Sequence, residues 1–226
     1  MQIEANLRKV QAELSAACAR AGRSPESVRL MAVSKTHPGE AIREAYAAGQ
    51  RLFGENRVQE MAEKADLLAS LPGLEMHLIG PLQNNKTGKA VDLFQAVDTL
   101  DSAKTAGRLN AAAETLGRVL PVLLEVKLSP EESKHGLAPE DLPALLEAVA
   151  GMAHLRAAGL MTVPPAGDPE DARPYFRRLR TLREEHAIRY PTLLELSMGM
   201  SGDFAVAVEE GSTTIRVGTA IFGRRE

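Results

Sequence analysis

Val28-Arg29-Leu30-Met31-Ala32-Val33-Ser34-Lys35 is an apolar run that stops at Thr36-His37-Pro38 and gives way to a helical stretch. It reads as a buried strand that carries one amine to its C-terminal rim, at a strand-to-helix junction. Parallel barrels keep their reactive groups at such junctions. A lysine desolvated there is partly neutral and can attack an aldehyde. By itself Lys35 is a weak signal, because a lysine at a strand end is more often a solvated terminus.

Working outward, short apolar runs alternate with amphipathic stretches eight times. The expected strands are Leu30 to Ser34, Leu52 to Gly54, Met76 to Ile79, Phe94 to Val97, Val119 to Val126, Leu155 to Met161, Leu193 to Leu196 and Thr214 to Val217. Ahead of them, Ile3, Leu7, Val10, Leu14, Ala17 and Cys18 form the stripe of an amphipathic helix ending near Gly22. Pro38 with Gly49 and Pro139 with Gly151 bracket two helices as first-turn proline and terminal glycine. Another helix is expected from an Asp101 cap to Gly117, and Pro174 predicts a late start for the helix within Asp171 to Ala187. An open doubly wound sheet usually has fewer strands and two edges to protect, so the pattern predicts an α/β fold, a single (β/α)8 TIM barrel with an extra N-terminal helix. No linker, low-complexity stretch or composition shift divides residues 1–226, which are expected to form one domain.

Composition narrows the function. A chain of 226 residues with 44% hydrophobic content supports a full core. A net charge of -3 with no basic block, and no Trp, argues against nucleic-acid binding. The single Cys18 cannot form an internal disulfide and reads as a small packing residue. There is no bilayer-spanning run and no signal-peptide pattern, so the expected location is the cytoplasm, with no membrane partner. Nothing resembles an obligate apolar interface, and a monomer is expected. No metal-ligand spacing occurs.

The polar residues that look out of place fall at the carboxyl ends of the expected strands. Lys35 ends the first; Gly54-Glu55-Asn56 ends the second; Gly80 to Lys86 follow the third. Lys127 ends the fifth, before a loop carrying Glu132-Ser133-Lys134-His135-Gly136, and Thr162 ends the sixth. Ser197-Met198-Gly199-Met200-Ser201-Gly202 follows the seventh, and Arg216 then Gly218-Thr219-Ala220 the eighth. Loops after the last two barrel strands commonly bind phosphate through backbone N–H groups. A phosphate site opposite a strand-one lysine points to a phosphorylated aldehyde. Pyridoxal phosphate fits, and so does a phosphosugar held by a class I aldolase.

Several stretches resemble one family closely: Ala32-Val33-Ser34-Lys35-Thr36, Phe53-Gly54-Glu55-Asn56 with Val58-Gln59-Glu60, His77-Leu78-Ile79-Gly80-Pro81-Leu82-Gln83, Gly159-Leu160-Met161-Thr162, Leu196-Ser197-Met198-Gly199-Met200-Ser201 and Val217-Gly218-Thr219-Ala220-Ile221-Phe222-Gly223. In order and across nearly the whole chain, they resemble the pyridoxal phosphate homeostasis proteins (the YggS/PROSC family). The resemblance implies a barrel like the N-terminal domain of alanine racemase, with pyridoxal 5′-phosphate bound to Lys35 as an aldimine. It places Ser201 and the amides of Gly218 and Thr219 at the phosphate, Arg216 at the pyridine nitrogen, and Asn56 and His77 near the ring. It also places the Ser133-Lys134 pair near the cofactor mouth. Met200 reads as packing around the ligand. His77 has a competing reading as a satisfied interior histidine, and Lys127, Lys134 and His135 as solvated rim residues. The implied function is pyridoxal phosphate homeostasis, buffering the cofactor or delivering it to dependent apoenzymes, with no catalytic residue. A weak amino-acid racemase is the alternative. Racemisation needs a second acid/base group on the opposite face of the cofactor, and Tyr46, Tyr175 and Tyr190 all read as helix or helix-end positions.

Overall fold

A computed structural model describes residues 2–129 and 135–223. Among them, eight strands close a parallel barrel in chain order: β1 Arg29–Val33, β2 Leu52–Glu55, β3 Glu75–Leu78, β4 Ala96–Leu100, β5 Leu120–Glu125, β6 Leu155–Met161, β7 Glu195–Ser197 and β8 Thr214–Val217. The seam is made by β1 on β8, from Arg29 opposite Thr214 to Ala32 opposite Val217. The helices are α1 Gln2–Arg20, α2 Gly39–Ala47, α3 Val58–Leu68, α4 Thr87–Leu93, α5 Ala103–Thr115, α6 Leu142–Ala150, α7 Arg173–Ala187, α8 Phe204–Glu209 and α9 Thr219–Phe222. A large apolar core fills the layer between barrel wall and helices, and a small one, Leu123, Ala158 and Met161, lies within the barrel.

Helix α1 buries Leu7, Val10, Leu14, Ala17 and Cys18. Asn6 donates to the Ile221 carbonyl at 2.9 Å, and Arg23, just past the helix, donates to the Val208 carbonyl at 2.8 Å. The extra helix therefore braces α8 and α9, the two short helices that follow β7 and β8.

Several expected strand ends shift by one residue, and the fourth strand, the seventh strand and one helix cap move for identifiable reasons. The fourth strand runs Ala96–Leu100, because Phe94 caps the end of α4 and is buried there. Its polar half was not legible as strand: Asp98 meets His77, and Thr99 donates to the Gly80 carbonyl at 2.8 Å. The seventh strand begins at Glu195, two residues past Leu193. Ser102, rather than Asp101, caps α5, its hydroxyl accepting the Thr105 amide at 3.3 Å. Pro174 sits in the first turn of α7, which starts at Arg173 after a short 3-10 turn.

The amino-terminal end of the barrel holds a charged plug around a cavity of about 130 Å³ lined by Arg29, Glu75, His77, Asp98, Arg156 and Glu195, among others. His77 is buried, with Nδ1 3.0 Å from Asp98 Oδ1 and Nε2 2.8 Å from Glu75 Oε1. Only the doubly protonated ring donates to both carboxylates. Burial opposes the imidazolium, yet Asp98 and Glu75 together hold it well above its ordinary range, at about 9. The same bond to His77, with Arg29 at 2.6 Å, draws Glu75 down to about 2 against its partial burial. Burial, with Asp98 close by, pushes Glu195 up.

A raised histidine contributes stability that is complete below its unfolded value near 6.5 and is lost as pH rises through 9. Glu75 contributes above 4.5 and loses it as pH falls toward 2, a smaller effect because this carboxylate is partly exposed and screened. Denaturant unfolding should therefore show a loss on the order of 2 kcal/mol between about pH 7 and pH 10. His77→Gln should flatten that alkaline slope; an unchanged slope would exclude His77 as its source.

Candidate functional site

Strand alternation sends Val33 and Lys35 of the first strand and its end into the barrel mouth, while Ser34 turns outward. At the mouth, a cavity of about 360 Å³ is lined by Val33, Lys35, Asn56, Ile79, Met161, Val163, Met200, Ser201, Gly202, Arg216, Gly218 and Thr219. These residues come from β1, β6 and β8, from the loops after β1, β2, β3, β6, β7 and β8, and from the first residue of α9, at the carboxyl ends of the strands.

Arg216 forms the floor and is only 4% exposed. Its Nη1 donates to Ser197 Oγ at 2.8 Å and its Nη2 to the Thr162 carbonyl at 3.0 Å, both neutral acceptors. Burial weakens its hold on the proton, and Asp98, Glu125 and Asp203 act in the opposite direction. A guanidinium nonetheless stays charged. Glu125 is itself buried, which pushes its carboxyl up against the pull of Arg216.

The loop after β7 is fixed at several points. Asp203 accepts the Met200 amide at 2.6 Å, and the Arg216 amide donates to the Gly199 carbonyl at 2.9 Å. Gly199 has φ 95°, and a Cβ there would meet Ala207 Cβ at 2.6 Å and Phe204 Cα at 3.0 Å. Only glycine permits both that backbone and that approach to α8. Gly80 acts similarly for Asn56: a Cβ on it would lie 2.2 Å from the Asn56 carbonyl oxygen.

Residues 2–226 match the family of the alanine racemase N-terminal domain. The pyridoxal phosphate homeostasis protein of Pseudomonas aeruginosa is 47% identical over 99% of this chain and 96% of its own length, and that of Aquifex aeolicus 44% over 97% of each. The chain belongs to the pyridoxal phosphate homeostasis protein family. Among solved structures, PipY of Synechococcus elongatus superposes with a TM-score of 0.89 without pyridoxal phosphate and 0.88 with it bound, at 44% identity over 98% of this chain and all of that one. An alanine racemase of Clostridium difficile shares 14% identity with a TM-score of 0.73, over 99% of this chain and 57% of its own, which shows a common fold.

In this member of the homeostasis protein family, seven of the residues singled out from sequence, Lys35, Asn56, Met200, Ser201, Arg216, Gly218 and Thr219, line one cavity. His77 does not. It lies one inward-facing layer below, where Asp98 and Glu75 occupy both ring nitrogens, and Ile79 takes the position at the mouth. The interior reading of His77 is the correct one. Lys127 is not among the lining residues, His135 is exposed, and Ser133-Lys134 falls outside the described residues. Sequence reading missed Val33, Ile79, Met161 and Val163, apolar residues whose only signal is their inward register at strand ends. Among the described residues, no group of three or more His, Cys, Asp or Glu is arranged to hold a metal ion, and no helix is long and apolar enough to cross a membrane.

The group implied by the family fits these residues. A buried guanidinium, a lysine and two small-residue turns face one cavity, so a planar ring with an anionic arm and an aldehyde finds a partner for each. If Gly199 holds the anionic side in place, Gly199→Ala should destabilise the fold by about 2 kcal/mol in thermal melting. Gly202→Ala, where a Cβ meets open space, should shift the melting temperature by less than about 2 °C. Equal effects of the two changes would contradict this account of the loop.

Proposed function

We propose that the chain binds pyridoxal 5′-phosphate as a Schiff base on Lys35 and serves to buffer the cofactor and hand it to apoenzymes, as a cytoplasmic monomer without substantial catalysis. The observation that carries this reading is the convergence of Lys35, Arg216, Ser201 and Thr219 on one cavity. Relatives named pyridoxal phosphate homeostasis proteins, and a PipY structure with pyridoxal phosphate bound, support the choice of cofactor.

When bound, the cofactor supplies an electrophilic aldehyde and an electron-accepting ring. The Lys35 amine adds to that aldehyde, forming the C=N bond and expelling the carbonyl oxygen as water with the two amine protons. Addition of water reverses the step, so Lys35 can release what it holds. Ser201, with the amides at Gly202, Gly218 and Thr219, takes the phosphate. Asn56 and Met200 wall the ring. Arg216 is assigned to the pyridine nitrogen: it donates only, so it disfavours a proton there and weakens the ring as an electron sink.

That choice suits a carrier. A racemase also needs a second proton donor on the face away from Lys35. Tyr46 is tied to the Pro72 carbonyl at 2.7 Å, Tyr175 lies within α7 and Tyr190 just after it, and none of the three lines the cavity.

Purified protein should be yellow. Borohydride should fix the cofactor on the peptide containing Lys35, and Lys35→Ala should abolish the label; label on Lys127 would refute the assignment. Incubation with L-alanine should give no sustained D-alanine, and steady turnover would instead establish the racemase reading. Arg216→Glu should shift the visible spectrum toward the ring-protonated form, while an unchanged spectrum and affinity would mean that Arg216 does not touch the nitrogen.

A further inference from the structure

Ser34 turns away from the cavity into the layer beneath α3, where it is buried and donates to Glu55 Oε1 at 2.8 Å. Lys64 of α3 donates to the same oxygen at 2.7 Å, and its Nζ lies 3.4 Å from the Ser34 carbonyl. One turn earlier on α3, Glu60 accepts the amide of Thr36 at 3.0 Å. Glu60 and Lys64 are four residues apart and so share one helix face. Between them they hold the residues immediately before and after Lys35.

Two costs mark this arrangement. Thr36 has φ 66°, the left-handed region that a β-branched residue rarely adopts. Glu55 is fully buried, which pushes its carboxyl up despite Lys64 and Ser34. Apolar residues of similar size could fill this layer without desolvating two charges, and such replacements often leave stability unchanged or raise it. What the ionic pair provides beyond packing is a directed hold on Ser34, and Glu60 provides one on Thr36.

We propose that Glu55, Lys64 and Glu60 are positioning residues that act through the Ser34–Thr36 backbone to aim the Lys35 amine into the cavity. The proposal rests on Lys35 being the tether.

The test uses full-length protein stripped of cofactor, with pyridoxal 5′-phosphate as the probe. Schiff-base formation is followed by rapid-mixing visible absorption, and thermal melting of the cofactor-free protein is recorded alongside. Glu60→Ala should slow formation about tenfold, with a melting temperature within about 2 °C of wild type. Glu60→Gln keeps an acceptor oxygen and should recover to within about threefold. Glu55→Met/Lys64→Met removes both charges together and should slow formation by a similar factor, with a modest fall in melting temperature because the buried Ser34 hydroxyl loses its acceptor. Wild-type rates in Glu60→Ala overturn the proposal, as does slowing in that variant that is matched by a fall in melting temperature. Should the double variant not fold, the two Glu60 variants decide. Lys35→Ala separates the two levels: a Schiff base that survives there overturns the tether assignment, whereas its loss there with wild-type behaviour in Glu60→Ala overturns the positioning role alone.

Discussion

A guanidinium buried at the centre of a parallel barrel constrains everything around it. Arg216 is satisfied directly by Ser197 and the Thr162 carbonyl, and at longer range by Asp98, Glu125 and Asp203. Those carboxylates are themselves buried or half-buried and need partners. Asp98 finds His77, His77 finds Glu75, and Glu75 finds Arg29 at the far end of the barrel. A chain of alternating charge thus runs down the interior, where most barrels of this size pack branched aliphatic side chains. Leu123, Ala158 and Met161 form a small apolar cluster on the β5–β6 side. A permanent cation at the floor of the mouth therefore fixes the composition of the interior as far as the amino-terminal rim.

Most of the architecture was legible because parallel strands buried on both faces read as short apolar runs, and amphipathic helices separate them. The fourth strand was misread because of its polar half. Asp98 and Thr99 are polar residues inside a strand, and the charge chain from Arg216 is what makes Asp98 acceptable there. Sequence shows that a residue is polar and cannot show that a histidine on the next strand will meet it. The Asp101 expectation failed for a local reason, since two adjacent candidate caps differ only in which one reaches the third amide of the helix.

The site was legible to the extent that strand ends and glycine turns could be counted. Ser197 to Gly202 and Gly218-Thr219 stood out by composition, and Lys35 by position. His77 was ambiguous because a strand register of two residues separates the mouth from the layer below, and single-strand boundaries are uncertain by as much. Glu55 and Glu60 stood in quoted motifs, but the contacts they make behind the site were not legible. Glu55, Lys64 and Glu60 look like ordinary helix and strand-end charges until the barrel closes and brings α3 over the turn at Lys35.

The closure seam explains why the two ends of the proposed cofactor are held so near one another. Met31 lies opposite Arg216 and Ala32 opposite Val217, so the chain leaves β1 and β8 side by side. Gly218 then sits against Val33, where an added Cβ would come within 3.2 Å of the Val33 carbonyl oxygen, and His37 stacks on Phe222 at 5.0 Å between centroids. Lys35 and the Gly218-Thr219 turn are thus neighbours across the first and last strands, braced from outside by α3 on one side and α1 on the other. A slip of two residues in the β1–β8 register, the smallest that keeps each side chain on its own face, would carry the lysine about 6–7 Å along the strand from its partners. Closing the barrel and spacing the site are therefore the same act of registration.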